Sequence, residues 1–234
     1  MYLASEHIAI NVEGKAPKEQ IDKCLKLSAA SKAFNFNKDF LNEISTKLFP
    51  LDILSANILT LSLQRYGQNE RSLFSFLEST DHTGLTKFNK RENPFYNLSC
   101  VYDYLNFNFY SFLTSKYNPD FSAWSSIRSS LEEVERAFDE RINDYSKAIK
   151  TIGLLNIFLA SGAILDENFL SSYLETACGV ANARTIIKNL ESKKIIHFSF
   201  FILSSETDFL RAFFILNSIF PIFKNIFSCF LDTH

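Results

Sequence analysis

Apolar residues recur at helical spacing along most of this 234-residue chain, and only six glycines interrupt them. Average glycine usage is roughly 7%, so few positions here offer a free backbone turn. A chain patterned this way must bury one helical stripe against another, which predicts a mainly α bundle. Residues 17–31 start at Pro17, favourable in a first helical turn, and place Ile21, Cys24 and Leu25 on one face. Asn37 is positioned to cap a second helix carrying Phe40, Leu41, Ile44 and Leu48 before Pro50 stops it. Leu51 to Tyr66 is apolar on nearly every side, as in a helix enclosed by others. Gly67 stands where a helix-ending glycine belongs. Asn69 to Leu77 reads as a further helix, followed by a polar loop holding Gly84 and Pro94.

Aromatic side chains crowd residues 98–116. The spacing of Val101, Leu105, Phe109 and Phe112 points to core packing rather than to stacking on bases, which needs interleaved cations. Trp124, Ile127, Leu131, Val134 and Phe138 mark a long amphipathic helix. Its outer face, with Glu132, Glu133, Glu135, Arg136, Asp139, Glu140 and Arg141, is a solvated one.

Between residues 147 and 203 the pattern changes. A helix from Ile152 to Leu159 is followed by a second one that Asp166 can cap, with Phe169, Leu170, Tyr173 and Leu174 inward. The turn Cys178-Gly179-Val180 leads into a third helix, Ala181 to Ser192, and the β-branched run Ile195-Ile196 opens a strand. Three helices, a tight turn and a strand follow the order of a winged helix-turn-helix with a short β-hairpin. The expected organisation is therefore a helical, lid-like bundle over 1–146, a winged-helix-like domain over 147–203, and a tail over 204–234. That tail carries much of the phenylalanine, and is read as unstructured, helical or frameshifted. Its apolar run, Ala212 to Phe223, is too short for a membrane span, which takes about 20 residues. An interfacial or partner-docking helix fits it better.

Charge and motif content exclude several chemistries. The formal net charge is −2, whereas a general polyanion binder carries a strong basic excess. With 47% hydrophobic residues the chain is not intrinsically disordered. Cys24, Cys100, Cys178 and Cys229 form no C-x-x-C pair and read as reduced thiols of a cytoplasmic protein. The one Gly-Lys pair, Gly14-Lys15, lacks the glycine and hydroxyl partner of a P-loop. No dinucleotide loop, nucleophile elbow or zinc spacing occurs, so the sequence nominates no catalytic residue and no metal ligand. The expectation is a non-enzyme without a cofactor of its own.

Two residue sets remain as binding candidates. Gln68, Asn69, Glu70 and Arg71 open a helix, and Arg71 opposes the helix dipole in its first turn. An arginine there is better accommodated beside a carboxylate or phosphate, as in ion pairing, nucleotide sensing or an inter-subunit arginine finger. Arg184, Lys188, Lys193 and Lys194 lie on or just after the third helix of the later unit and suit phosphate contacts. The stretch 150–197 is nearly balanced in charge, so nucleic-acid binding through it would be weak.

The order of several strings carries a family resemblance. Leu48-Phe49-Pro50-Leu51, the apolar helix after it, Gln68-Asn69-Glu70-Arg71-Ser72-Leu73-Phe74-Ser75-Phe76-Leu77, Tyr102-Asp103-Tyr104-Leu105 and Lys150-Thr151-Ile152-Gly153-Leu154-Leu155-Asn156-Ile157-Phe158 follow one another. Together with Ala181 to Phe198 they resemble the region downstream of the nucleotide-binding core in large bacterial P-loop (STAND/AAA-like) ATPases linked to anti-phage defence. The resemblance covers roughly residues 40–198. It implies a non-catalytic fragment or subunit of such an ATPase, coupling nucleotide state to partner domains. Its partner would be an upstream P-loop core or a homologous ATPase subunit, and ATP with magnesium would bind there. Walker A and Walker B segments do not occur in this chain, and Asp52-Ile53 stands where the family tends to have His-Pro. The alternative reading is a winged-helix nucleic-acid-binding protein.

Overall fold

In the computed structural model the chain is mainly helical. The structure describes residues 8, 17–32, 34, 43–67, 70–89, 93–158, 163, 165–202 and 210–216. Helix α1 (Lys18–Ser31) follows Pro17 and buries Ile21 and Cys24. Helix α2 (Ile53–Tyr66) is the apolar one, buried on most sides. Asp52 starts it, its carboxylate accepting from the N–H groups of Leu54 and Ser55 and so satisfying two otherwise orphaned donors. Helix α3 (Glu70–Glu78) and a 3₁₀ turn (Leu85–Lys87) lead to α4 (Leu98–Asn108), which Asn97 caps in the same manner. The short α5 (Tyr110–Leu113) is set off from α4 at Phe109. Helices α6 (Phe121–Ala137) and α7 (Ile142–Phe158) lie against each other, and α4, α2 and α9 also pack on α7. Helix α8 (Glu167–Thr176), capped by Asp166, packs on α9 (Ala183–Ser192) and on α1. Strands β1 (Ile196–Ile202) and β2 (Leu210–Leu216) run antiparallel, in a register that pairs Ile196 with Leu216 and Ile202 with Leu210.

One contiguous apolar cluster joins these elements, from Ile21 through Leu59, Val101, Trp124 and Leu154 to Leu190. Trp124 is fully buried, stacked on Tyr102 with ring centres 5.5 Å apart, and its indole N–H donates to the Tyr66 hydroxyl at 3.0 Å. That hydroxyl donates onward to Asp120 (2.6 Å), which also holds Arg65 (2.9 Å). A polar thread thus runs from the surface to the single tryptophan without leaving a buried donor orphaned.

The helix of Ile152 to Leu159 begins ten residues earlier than its apolar run suggests. Tyr145, Ala148 and Ile149 extend the same buried stripe back to Ile142, so residue 147 falls inside α7. Gly67 does follow α2, but with φ −107° it is extended rather than left-handed, and its N–H closes on the Leu63 carbonyl at 2.9 Å. Core packing holds for Val101 and Leu105, yet Phe107 and Tyr110 are 53% and 54% exposed, and Phe112 is 37% exposed. Phe107 lies on the face of α4 away from Val101 and Leu105, while Tyr110 and Phe112 follow the break at Phe109. Residues 210–216, placed by the sequence reading in a tail without a strand, pair with β1. The proposed cap Asn37, the helix start at Phe40 and Leu41, and residues 217–234 lie outside the described residues.

Candidate functional site

Helix α9 is built from an alternation that leaves no doubt which face is inward. Ala183, Ile186, Ile187 and Leu190 are fully buried, while Arg184, Lys188, Lys193 and Lys194 are exposed. The helix starts from Asn182 in a left-handed conformation (φ 54°), and its first N–H, that of Ala183, donates to Glu175 of α8 at 3.3 Å. Left-handed backbone is tolerated better by Asn than by most residues. Arg184 donates to the Asn168 side chain at 2.6 Å, so its guanidinium is oriented along α8. Lys193 and Lys194 end α9, Lys194 in a left-handed turn (φ 58°) that delivers the chain to β1. Four exposed cations therefore lie along α9 and just past its end, with the exposed Glu191 among them.

The other candidate set is placed only in part. Glu70 and Arg71 form the first turn of α3, whose Phe76 and Leu77 are buried. Their side chains, and Gln68 and Asn69 entirely, lie outside the described residues.

Among the described residues, a dense polar cluster sits in the core at a joint between α2, α4 and α8. The Asp52 carboxylate, 3% exposed, accepts from the Ser55 hydroxyl at 2.6 Å and from the Tyr173 hydroxyl at 2.9 Å, besides its two capping N–H donors. Tyr173 in turn accepts from the N–H of Leu98, the first residue of α4, at 3.1 Å. Asn97 donates to the Ala177 carbonyl at 3.1 Å, and the buried Lys147 ammonium donates to the Cys178 carbonyl at 2.9 Å. Burial pushes the Asp52 carboxyl up from its ordinary value, while its four donors pull it back. Burial likewise pushes up the Tyr173 hydroxyl and the thiols of Cys24 and Cys178, and the nearby Asp52 charge adds to each. Thiols held protonated inside the core are poor nucleophiles. The joint fastens elements; it does not present reactive groups to a substrate.

Sequence reasoning missed this joint. The available signal was Asp52 standing directly before an apolar helix, a start pattern that pointed to a cap. Its partner Tyr173 was read correctly as inward-facing, but nothing in its spacing named the carboxylate. Among the described residues no group of three or more His, Cys, Asp or Glu side chains is placed to hold a metal ion. No helix among them is long and apolar enough to cross a membrane. Comparison with known proteins gave no match, whether to protein-family models, to curated proteins or to solved structures.

Proposed function

We propose that the chain is a non-catalytic fragment or subunit of a large bacterial P-loop ATPase, in which a lid-like helical part passes nucleotide-dependent movement to a winged-helix-like end that begins with α7 and includes β2. The sequence resemblance supports the ATPase part of this reading, and the joint at Asp52 supports the coupling. Tyr173 of α8 is bonded to the start of α2 and to the start of α4, so displacement of either helix pulls directly on the later unit. The succession α7, α8, the Cys178–Gly179–Val180 turn, α9 and the β1–β2 ladder has the order of a winged helix. Gly179, at φ +67°, supplies the backbone the turn requires, and a side chain there would press on Pro94. ATP and magnesium belong to the partner core, where Arg71 acts as a nucleotide-sensing or inter-subunit arginine. The place of action is the cytoplasm, and anti-phage defence is the setting that the resemblance suggests.

The test is to purify the full chain, tagged, from its own host and to assay the eluate for ATP turnover. A retained P-loop ATPase is expected, with turnover lower by about 10³-fold when the chain carries Arg71→Ala. An eluate without ATPase, or turnover indifferent to Arg71→Ala, removes the reading.

A second reading is favoured by the exposed cations of α9. In it, Lys188, Lys193 and Lys194, with Arg184, meet the phosphates of duplex DNA. Binding would be weak and strongly salt-dependent, since only three or four phosphates are neutralised.

A further inference from the structure

An open cleft of about 860 Å³ lies between the segment 82–89 and the outward face of α4 and α5. Its size falls in the range of small-molecule sites, about 300–1,000 Å³. Asp103, Asn106 and Phe107 line it at helical spacing on α4, and Tyr110, the first residue of α5, continues the lining past the break at Phe109. Phe107 and Tyr110 are the half-exposed rings of this lining, and His82 steadies Phe107 in an edge-to-face contact at 4.8 Å. Two polar atoms of the lining residues, Asn106 Oδ1 and Thr83 Oγ1, are shielded from water and have no hydrogen-bonding partner. Being shielded, neither atom is open to a donor from the cleft as the side chains stand. Asp103 is neutralised by Lys150 at 2.7 Å, and across the cleft Lys87 supplies an exposed cation.

Two exposed rings and, among the described residues, an exposed lysine select a ligand class. Aromatic faces stack on planar bases with little regard to their identity. A lysine ammonium is a point charge suited to phosphate. We propose that this cleft is a nucleotide site: the base lies on Phe107 and Tyr110, and Lys87 meets the phosphate. The ligand is a free mononucleotide or one residue of a single-stranded nucleic acid, since the chemistry displayed is the same. This site is separate from α9 and does not depend on the ATPase-module reading.

The experiment titrates the full-length chain with AMP and adenosine by calorimetry, and with a fluorescein-labelled ten-nucleotide single strand by anisotropy. Phe107→Ala, at an exposed position, is expected to weaken whichever ligand binds by about tenfold or more. Lys87→Ala is expected to weaken AMP but leave adenosine unchanged. Binding of AMP assigns the site to free nucleotides; binding of the strand alone, lost in Phe107→Ala, assigns it to single-stranded nucleic acid. If neither AMP nor the strand binds the wild-type chain, the proposal fails. It fails equally if binding survives Phe107→Ala and Lys87→Ala, or if strand binding is lost only in Arg184→Ala/Lys188→Ala, which places it on α9. Helical circular dichroism of each variant separates lost binding from lost fold, and the exposed Lys87 gives a variant that leaves the core untouched.

Discussion

Tyr173 and Asp52, 121 residues apart in sequence, meet inside the core through a 2.9 Å hydrogen bond from hydroxyl to carboxylate. The same hydroxyl takes the first N–H of α4, so one phenol oxygen serves two helix starts. Tyr173→Phe removes both bonds and leaves the Leu98 N–H buried and unpaired. The expected loss is about 1–3 kcal/mol of stability by urea titration. In a double-mutant cycle with Asp52→Ala the two sites should couple by about 0.5–3 kcal/mol. Independent effects would show that the bond does not form.

Gly153 lets α6 and α7 approach. A side chain added there runs into the Ile127 side chain, which is itself fully buried. Overpacking costs about 1–3 kcal/mol, and the better helix propensity of alanine offsets up to about 1 kcal/mol. Gly153→Ala should therefore lower Tm, and adding Ile127→Val should restore part of it. An unchanged or raised Tm would refute the close contact.

Alkaline pH should unfold the chain before it ionises most of its tyrosines. Burial pushes Tyr104 up to about 12 and Cys100 up to about 11, and raises Tyr66, Tyr96, Tyr102 and Tyr173 as well. Between the ordinary thiol and phenol values and these raised ones, the folded state holds more protons than the unfolded state. Stability therefore falls as pH rises through that window. Tm should decline from about pH 9 upward, with phenolate absorbance appearing together with unfolding. Phenolate absorbance that rises while the helical signal holds would contradict the burial of these rings.

If α9 contacts duplex DNA, log affinity should fall with log salt with a slope of about −3, near −0.9 for each phosphate neutralised. Arg184→Ala/Lys188→Ala should flatten the slope by about one to two units. Lys188 matters most in that pair, because Arg184 is already engaged by Asn168. A slope that stays the same in the double variant assigns the contact elsewhere.

The helices were legible where a cap residue and an apolar period agreed. Asp166 with Phe169, Leu170, Tyr173 and Leu174 gave α8 almost to the residue. The period of α9 named both its buried isoleucines and its exposed cations. Local rules failed where distant parts of the chain decide. Lys147 is a lysine inside α7, and its burial depends on the Cys178 carbonyl 31 residues on. A polar residue in the stripe therefore hid about three turns of continuity with Ile142. Phe107 and Tyr110 carry the apolar signature of core residues, yet Phe107 sits on the outer face of α4 and Tyr110 follows the break at Phe109. Asp52 read as a departure from a family pattern, when its position before the apolar helix was the clue to a cap. For the candidate site, α9 was visible in sequence; the cleft was not, because it joins a loop to the far side of a helix.

Helix α7 fixes the chain in one more respect. Its 17 residues form a rod of roughly 25 Å. At one end Tyr145 lies flat on Phe138 and takes a bond from Asn189 of α9; at the other Phe158 meets Tyr66 of α2. Each inserted residue would rotate everything downstream by about 100°, turning one of those ends away from its neighbours. The two ends are thus phased like teeth on a common shaft: α7 can exchange side chains over time, but it cannot change length by one.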